Sequence, residues 1–257
     1  VPVGVGVVLI VLSALTVRQI RVWKDGESLW SHAVQSYPET AWLACYNLSF
    51  VYADRGDFEN ARVYYRKGLQ INPRFVYAMN WMGKKYAEKN LPDYAVAEFK
   101  RAIRARPDAP AAYANLAHIY IQKRMLNPAL QLLRKALELK PDYASAYRLL
   151  GSAYTLQMMP DEAITAFRKA VSLNPEDQDA YFNLGIVYGG VGKLKESVEA
   201  YRKLTALNPS NSSVWYRLSR TYYRMGDPKQ ALRSANRAVE LGFPVPDDYL
   251  SLLRRSR

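Results

Sequence analysis

Five prolines sit on a fixed ruler. Pro73, Pro107, Pro141, Pro175 and Pro209 follow one another at intervals of 34 residues, and Pro38 precedes the series by 35. A recurrence of this length marks a chain built from stacked copies of one supersecondary unit, and the period alone nearly decides the architecture. Each unit is too small to bury its own apolar side, so neighbours must stack to form a continuous core. Such a chain presents long faces that bind, and its function is not expected to rest on a catalytic motif.

Each interval holds two helical periods separated by a break. In the stretch before Pro175, Tyr147, Leu150 and Tyr154 recur at i, i+3, i+7, and Ala163, Phe167 and Ala170 recur at i, i+4, i+7. Met158-Met159-Pro160-Asp161 lies between them, where proline suits the first turn of a second helix. The closing Asn-Pro or Lys-Pro ends that helix, because proline disfavours helical geometry in the residue before it. Gly83, Ala117, Gly151 and Gly185 are small residues at equal spacing, which lets paired helices approach closely, and Ala61, Ala95, Ala129, Ala163 and Ala231 match them on the second helix. Tyr52, Tyr86, Tyr120, Tyr154, Tyr188 and Tyr222 then fill the wedge between successive hairpins. They are core residues in this reading, not a base-stacking platform. Ser197 and Leu204 stand where alanine is usual and predict a looser fifth repeat, Gly68 predicts a weakened helix, and Gly242 predicts a left-handed helix cap.

These residues resemble the tetratricopeptide repeat (TPR). Leu150-Gly151-Tyr154-Ala163-Phe167-Ala170-Pro175 follows its pattern, as does Leu184-Gly185-Tyr188-Tyr201-Pro209, and the match recurs six times. The resemblance implies an all-α TPR solenoid, a right-handed superhelix of helix-turn-helix repeats. The expected organisation is a half-repeat helix over 25–40, six repeats over 41–244 and a C-terminal capping helix over 245–257. Asp247 or Asp248 is expected to cap that last helix while Leu250, Leu252 and Leu253 cover the end of the stack.

Residues 1–17 carry no charge, and Arg18, Arg21 and Lys24 follow them. Residues 1–24 are therefore expected to be a transmembrane helix, possibly truncated, with its basic flank. The junction "RQIRVWKDGESLWSHAVQSYP", through Arg21, Trp23, Asp25, Leu29 and Trp30, resembles the membrane-to-TPR boundary of transmembrane-and-TPR O-mannosyltransferase-like proteins. That resemblance implies an array on the periplasmic or luminal side, whereas the positive-inside rule applied to the three basic residues favours the cytoplasm. No catalytic acidic loop of that family is present in the sequence.

The formal net charge is +13, which favours acidic partners or anionic lipid headgroups. No block of consecutive basic residues and no nucleic-acid motif accompanies it, so nucleic acid is not the expected partner. A single cysteine, Cys45, excludes an internal disulfide framework. His32 and His118 are the only histidines, with no metal-ligand spacing around them. "YGGVGK" at 188–193 lacks the preceding strand of a phosphate loop. No catalytic residue, metal or cofactor is expected.

The exposed face of each first helix is the expected binding wall. Asn47, Asn115 and Asn183 share one repeat position. In O-GlcNAc-transferase-like arrays such asparagines form a ladder that holds a peptide backbone, since an amide both donates and accepts. Arg217, Arg220 and Arg224 follow at i, i+3, i+7 on one helical face, bordered by Tyr216 and Tyr223, with Arg148 and Lys84 assigned to the same wall. Chaperone-tail-binding TPR domains use a comparable carboxylate clamp, and guanidinium forks suit carboxylates. The expected function is a membrane-anchored scaffold that binds an acidic protein or peptide in its groove. The alternatives are the acceptor-positioning tail of a polytopic glycosyltransferase and a structural subunit of a large membrane complex.

Overall fold

The computed structural model describes residues 25–256. Its helices are α1 (Gly26–Ser36), α2 (Trp42–Asp54), α3 (Phe58–Ile71), α4 (Val76–Glu88), α5 (Pro92–Ala105), α6 (Pro110–Gln122) and α7 (Leu126–Leu139). They continue with α8 (Ala144–Leu156), α9 (Pro160–Leu173), α10 (Gln178–Gly190), α11 (Leu194–Leu207), α12 (Ser212–Arg224), α13 (Pro228–Glu240) and α14 (Asp247–Arg255). The described residues form an all-α array of helical hairpins. Among the described residues no helix is long and apolar enough to cross a membrane. The longest have 14 residues, about 21 Å against a hydrocarbon core of about 30 Å. This corrects the expectation of a membrane helix before the array, and residues 1–24, on which that expectation fell, lie outside the described residues.

The helix ends explain the ruler. α3, α5, α7, α9 and α11 each stop two residues short of Pro73, Pro107, Pro141, Pro175 or Pro209. Pro92, Pro160 and Pro228 open α5, α9 and α13, where no intrahelical N–H is needed. Asp57, Asp177, Asn211 and Asp227 accept backbone N–H groups as N-caps. A second periodic device is the hairpin turn itself. Gly56, Asn90, Arg124, Met158, Gly192 and Gly226, again 34 apart, all have φ between 57° and 84°. Each turn thus closes through one left-handed residue, in three cases without a glycine. Gly242, at φ 82°, ends α13 in the same way.

The chain forms two compact units, one through Ala112 and one from Tyr113 on, with the boundary inside α6. In the first, α1 packs on α2 around Val34, Ala44, Cys45 and Leu48. Val76, Met79, Ala102 and Ala112 form a second cluster. Tyr46 is fully buried and donates its hydroxyl to the Asn72 carbonyl at 3.0 Å. A Cβ at Gly68 would lie 2.9 Å from its ring, so this glycine makes room for an aromatic and is more than a weak point in α3.

In the second unit, Leu133, Ala136, Leu149 and Ala153 belong to one cluster, and Phe167, Ala170, Leu184 and Val187 to the next. The fifth repeat is not loosely packed, contrary to the sequence reading. Ser197 is fully buried with its hydroxyl donated to the Gly185 carbonyl at 2.7 Å, and Leu204 is buried beside Val214 and Leu218. A hydroxyl that reaches a free carbonyl lone pair costs little on burial. Of the wedge tyrosines only Tyr86 is buried, and the others are half-buried. In α14, Leu253 is buried against Ala231 and Leu232, but Leu252 stays exposed. The helix begins at Asp247 after Pro246, so the two aspartates occupy its first turn instead of its cap.

Candidate partner-binding faces

The three arginines of α12 are brought together in the second unit. Val214, Leu218 and Thr221 turn into the core, which leaves Arg217, Arg220 and Arg224 on an adjoining face. With Gly185, Ile186, Gly189 and Gly190 of α10 and Ser197 and Tyr201 of α11, they line a cavity of 200 Å³. The glycines are what open it. A Cβ at Gly189 would come within 3.3 Å of the Ser197 hydroxyl and 3.7 Å of Arg224 Nη1, while Gly190 faces empty space. Arg217 is held in place, its guanidinium carbon 4.9 Å from the centre of the Phe182 ring. Burial pushes the Tyr201 hydroxyl above its ordinary value, and the neighbouring Arg217 guanidinium partly offsets this. Arg220 and Arg224 are exposed. Tyr216 and Tyr223 do not wall the cavity. Both make edge contacts with Tyr249 of α14, at 5.9 and 6.0 Å.

Arg148 is placed differently from the sequence expectation. Its Nε lies 3.3 Å from Asp177 and its Nη1 3.7 Å from Asp179. Asp177 also caps α10 by accepting the Ala180 N–H at 3.0 Å. Arg148 therefore ties α8 to the start of α10, and its charge is already matched. Asn115 on α6 and Asn183 on α10 are half-buried. In the repeat register the buried Leu149 stands between them and Arg217 follows, so no continuous row of amides exists within this unit. His118 is exposed beside Gln122, and among the described residues no cluster could hold a metal.

Asn47 and Lys84 belong to the first unit, where the exposed face has another character. Asn47 sits half-buried between Leu43 and Phe50, and Lys84 is exposed on α4. Phe50 packs against Trp81 with ring centres 4.1 Å apart. Tyr77, 63% exposed, lies 6.3 Å from Phe50 and 5.9 Å from Phe75, and Trp42 meets Phe75 at 5.0 Å. Lys85 sits 5.5 Å from the Trp81 ring and pairs with Asp54 and Glu88. Trp81 is thus one member of an aromatic patch. The signal was present in the sequence, since Leu43 and Tyr77, like Asn47 and Trp81, are 34 apart. Which of these side chains would remain exposed was not.

The family models agree with this architecture. Tetratricopeptide repeat models match residues 42–75, 87–154, 178–211 and 200–233, and a TPR repeat model matches 161–192, together well over half of the chain. The chain is built of tetratricopeptide repeats. No curated protein matches it by sequence. Among solved structures, MamA is 29% identical with a TM-score of 0.56, over 62% of this TPR chain and 93% of MamA. YrrB, a TPR protein with an unusual peptide-binding site, is 22% identical with a TM-score of 0.57, over 75% of this chain and 97% of YrrB. A chain of the APC/C hetero-tetramer Cut9–Hcn1 is 18% identical with a TM-score of 0.69, over 92% of this chain and 47% of that one. The matched repeats begin at residue 42, downstream of the junction whose resemblance is to O-mannosyltransferase-like proteins. None of these matches extends that resemblance.

Proposed function

We propose that this TPR array is a protein-interaction scaffold that captures an acidic peptide or chain terminus at Arg217, Arg220 and Arg224. The observation that carries this reading is their convergence on one cavity floored by glycines, where a ligand backbone can approach. Arg217 is pre-positioned by Phe182, which lowers the ordering cost of a bidentate contact. Asn183, one repeat before Arg217, is the nearest amide in register for the ligand backbone. Within the second unit Asn115 is proposed only as a secondary contact, and Arg148 only if it exchanges Asp177 for the ligand; Asn47 and Lys84 belong to the first unit and are proposed only as contacts on that unit's own face. The YrrB structure, with its peptide-binding site, supports a peptide ligand by analogy of fold. A position outside the cytoplasm, as the acceptor-positioning tail of a glycosyltransferase, rests solely on the junction resemblance.

The test is capture of partners from the source cell by the full chain, compared with Arg217→Ala plus Arg220→Ala. The double variant is expected to lose a specific partner, with roughly a hundredfold weaker binding and unchanged helicity. Undiminished capture of the same partner would reject the site.

A further inference from the structure

α12 lies between two cavities. Its other side is the floor of a cleft of 840 Å³ formed by Trp215, Leu218 and Tyr222. Arg202 of α11 lines one wall of that cleft, and Arg233 and Arg237 of α13 line the other. The Trp215 indole N–H donates to the Pro209 carbonyl at 2.9 Å, which orients the ring in the floor. Arg237 pairs with Glu240 at 2.8 Å, whereas Arg202 and Arg233 make no ion pair among the described residues.

The repeats supply an internal control. Two repeats earlier, in the same unit, Tyr147, Leu150 and Tyr154 floor a cleft of 590 Å³ in the same register. There the positions of Lys229, Gln230 and Arg233 are held by Asp161, Glu162 and Thr165, while Lys169 stands at the position of Arg237 and Arg134 at that of Arg202. Stacking thus explains why a cleft exists, and basic residues at the positions of Arg202 and Arg237 recur with it, as Arg66 and Arg101 do in the first unit, but it does not demand Arg233. The charge is regional as well. Residues 202–257 hold 11 Lys and Arg against 4 Asp and Glu.

We propose that the cleft between α11, α12 and α13 is a second binding site, taking an acidic peptide segment with an apolar side chain between its carboxylates. Facing guanidinium forks receive the carboxylates, and the Trp215–Leu218–Tyr222 floor receives the apolar group. Asp227 and Glu240 line the same cleft. They oppose a phosphodiester chain, charged at every residue, more than a peptide whose carboxylates can be spaced around them.

The full chain is tested with a labelled peptide carrying glutamates on both sides of a central benzoylphenylalanine. Anisotropy gives the affinity, and mass spectrometry locates the photocrosslinks. Crosslinks are expected on α11–α13 around Trp215. Arg202→Gln with Arg233→Gln is expected to weaken the affinity roughly tenfold and to remove those crosslinks. Lys229→Asp with Gln230→Glu, which installs the acids of the earlier cleft at a helix N-terminus that favours them, should do the same without loss of helicity. Arg220→Ala with Arg224→Ala should leave the α11–α13 crosslinks in place, which separates this site from the cavity of the proposed function. Crosslinks confined to α10 and the arginine face of α12 would overturn the proposal. So would binding indifferent to both α11–α13 variants, or a single-stranded oligonucleotide that outcompetes the peptide at equal charge.

Discussion

Gly151→Ala adds one methyl group and tests how a hairpin closes. The new Cβ would lie 2.6, 2.7 and 2.8 Å from Cδ1, Cε1 and Cγ of Phe167, a side chain with no exposed surface into which it could move. Overpacking of this kind costs about 1–3 kcal/mol, and three contacts to a rigid ring place it near the upper end. The better helix propensity of alanine returns about 1 kcal/mol. The net expectation is a loss of about 2 kcal/mol, which lowers the urea midpoint by roughly 1 M. The third repeat suggests the rescue. It holds Ala117 and Leu133 at the positions of Gly151 and Phe167, both buried in one cluster. Phe167→Leu alone should cost about 1–2 kcal/mol through the space it leaves. Combined with Gly151→Ala it should cost less than the two losses together, by about 1–2 kcal/mol. Gly190→Ala, with nothing within 4 Å of the added carbon, is the control and should be neutral or stabilising. A Gly151→Ala protein as stable as the parent, or a double-mutant cycle without coupling, would refute the close-approach argument.

Two further expectations concern the turns and the first helix contact. Met158 holds φ 60° while 88% exposed, so Met158→Gly relieves a left-handed strain of about 1–2 kcal/mol, less the extra freedom of glycine in the unfolded chain. A urea midpoint above that of the parent is expected, and a lower one would argue against strain at this turn. Glu27 accepts the Tyr52 hydroxyl at 2.8 Å and meets Arg55, which together hold its carboxyl below the ordinary value of 4.5. A lowered folded value means that its contribution is fully present above the unfolded value and disappears as the pH falls through the folded one. The melting-temperature gap between parent and Glu27→Gln should therefore be widest near neutral pH and close in acid. A gap that does not change with pH would remove the clasp.

The repeat itself was legible without coordinates, because it is written in local chemistry. Prolines that cannot continue a helix, small residues where helices cross and apolar side chains at helical spacing each act within one hairpin. The left-handed turns were half legible: Gly56, Gly192 and Gly226 announce them, but Asn90, Arg124 and Met158 do not. The arginine triad of α12 was readable as one face of one helix, since i, i+3, i+7 spacing requires no tertiary information. The membrane helix was an inference from composition at the N-terminus, and no helix among the described residues supports it.

What the sequence determined by itself was an all-α array of 34-residue hairpins with arginines gathered on its last repeat. Only the tertiary structure decided which charges were still available. Arg148, in register with the binding wall, is matched by Asp177 and Asp179, whereas Arg202 and Arg233 face an open cleft. It also decided that Ser197 is satisfied by Gly185 and that Trp81 joins an aromatic patch. Periodicity assigns a residue to a face of its own helix. Whether an ion partner, a carbonyl or empty space lies opposite depends on the neighbouring repeat, and those pairings are set by packing in three dimensions.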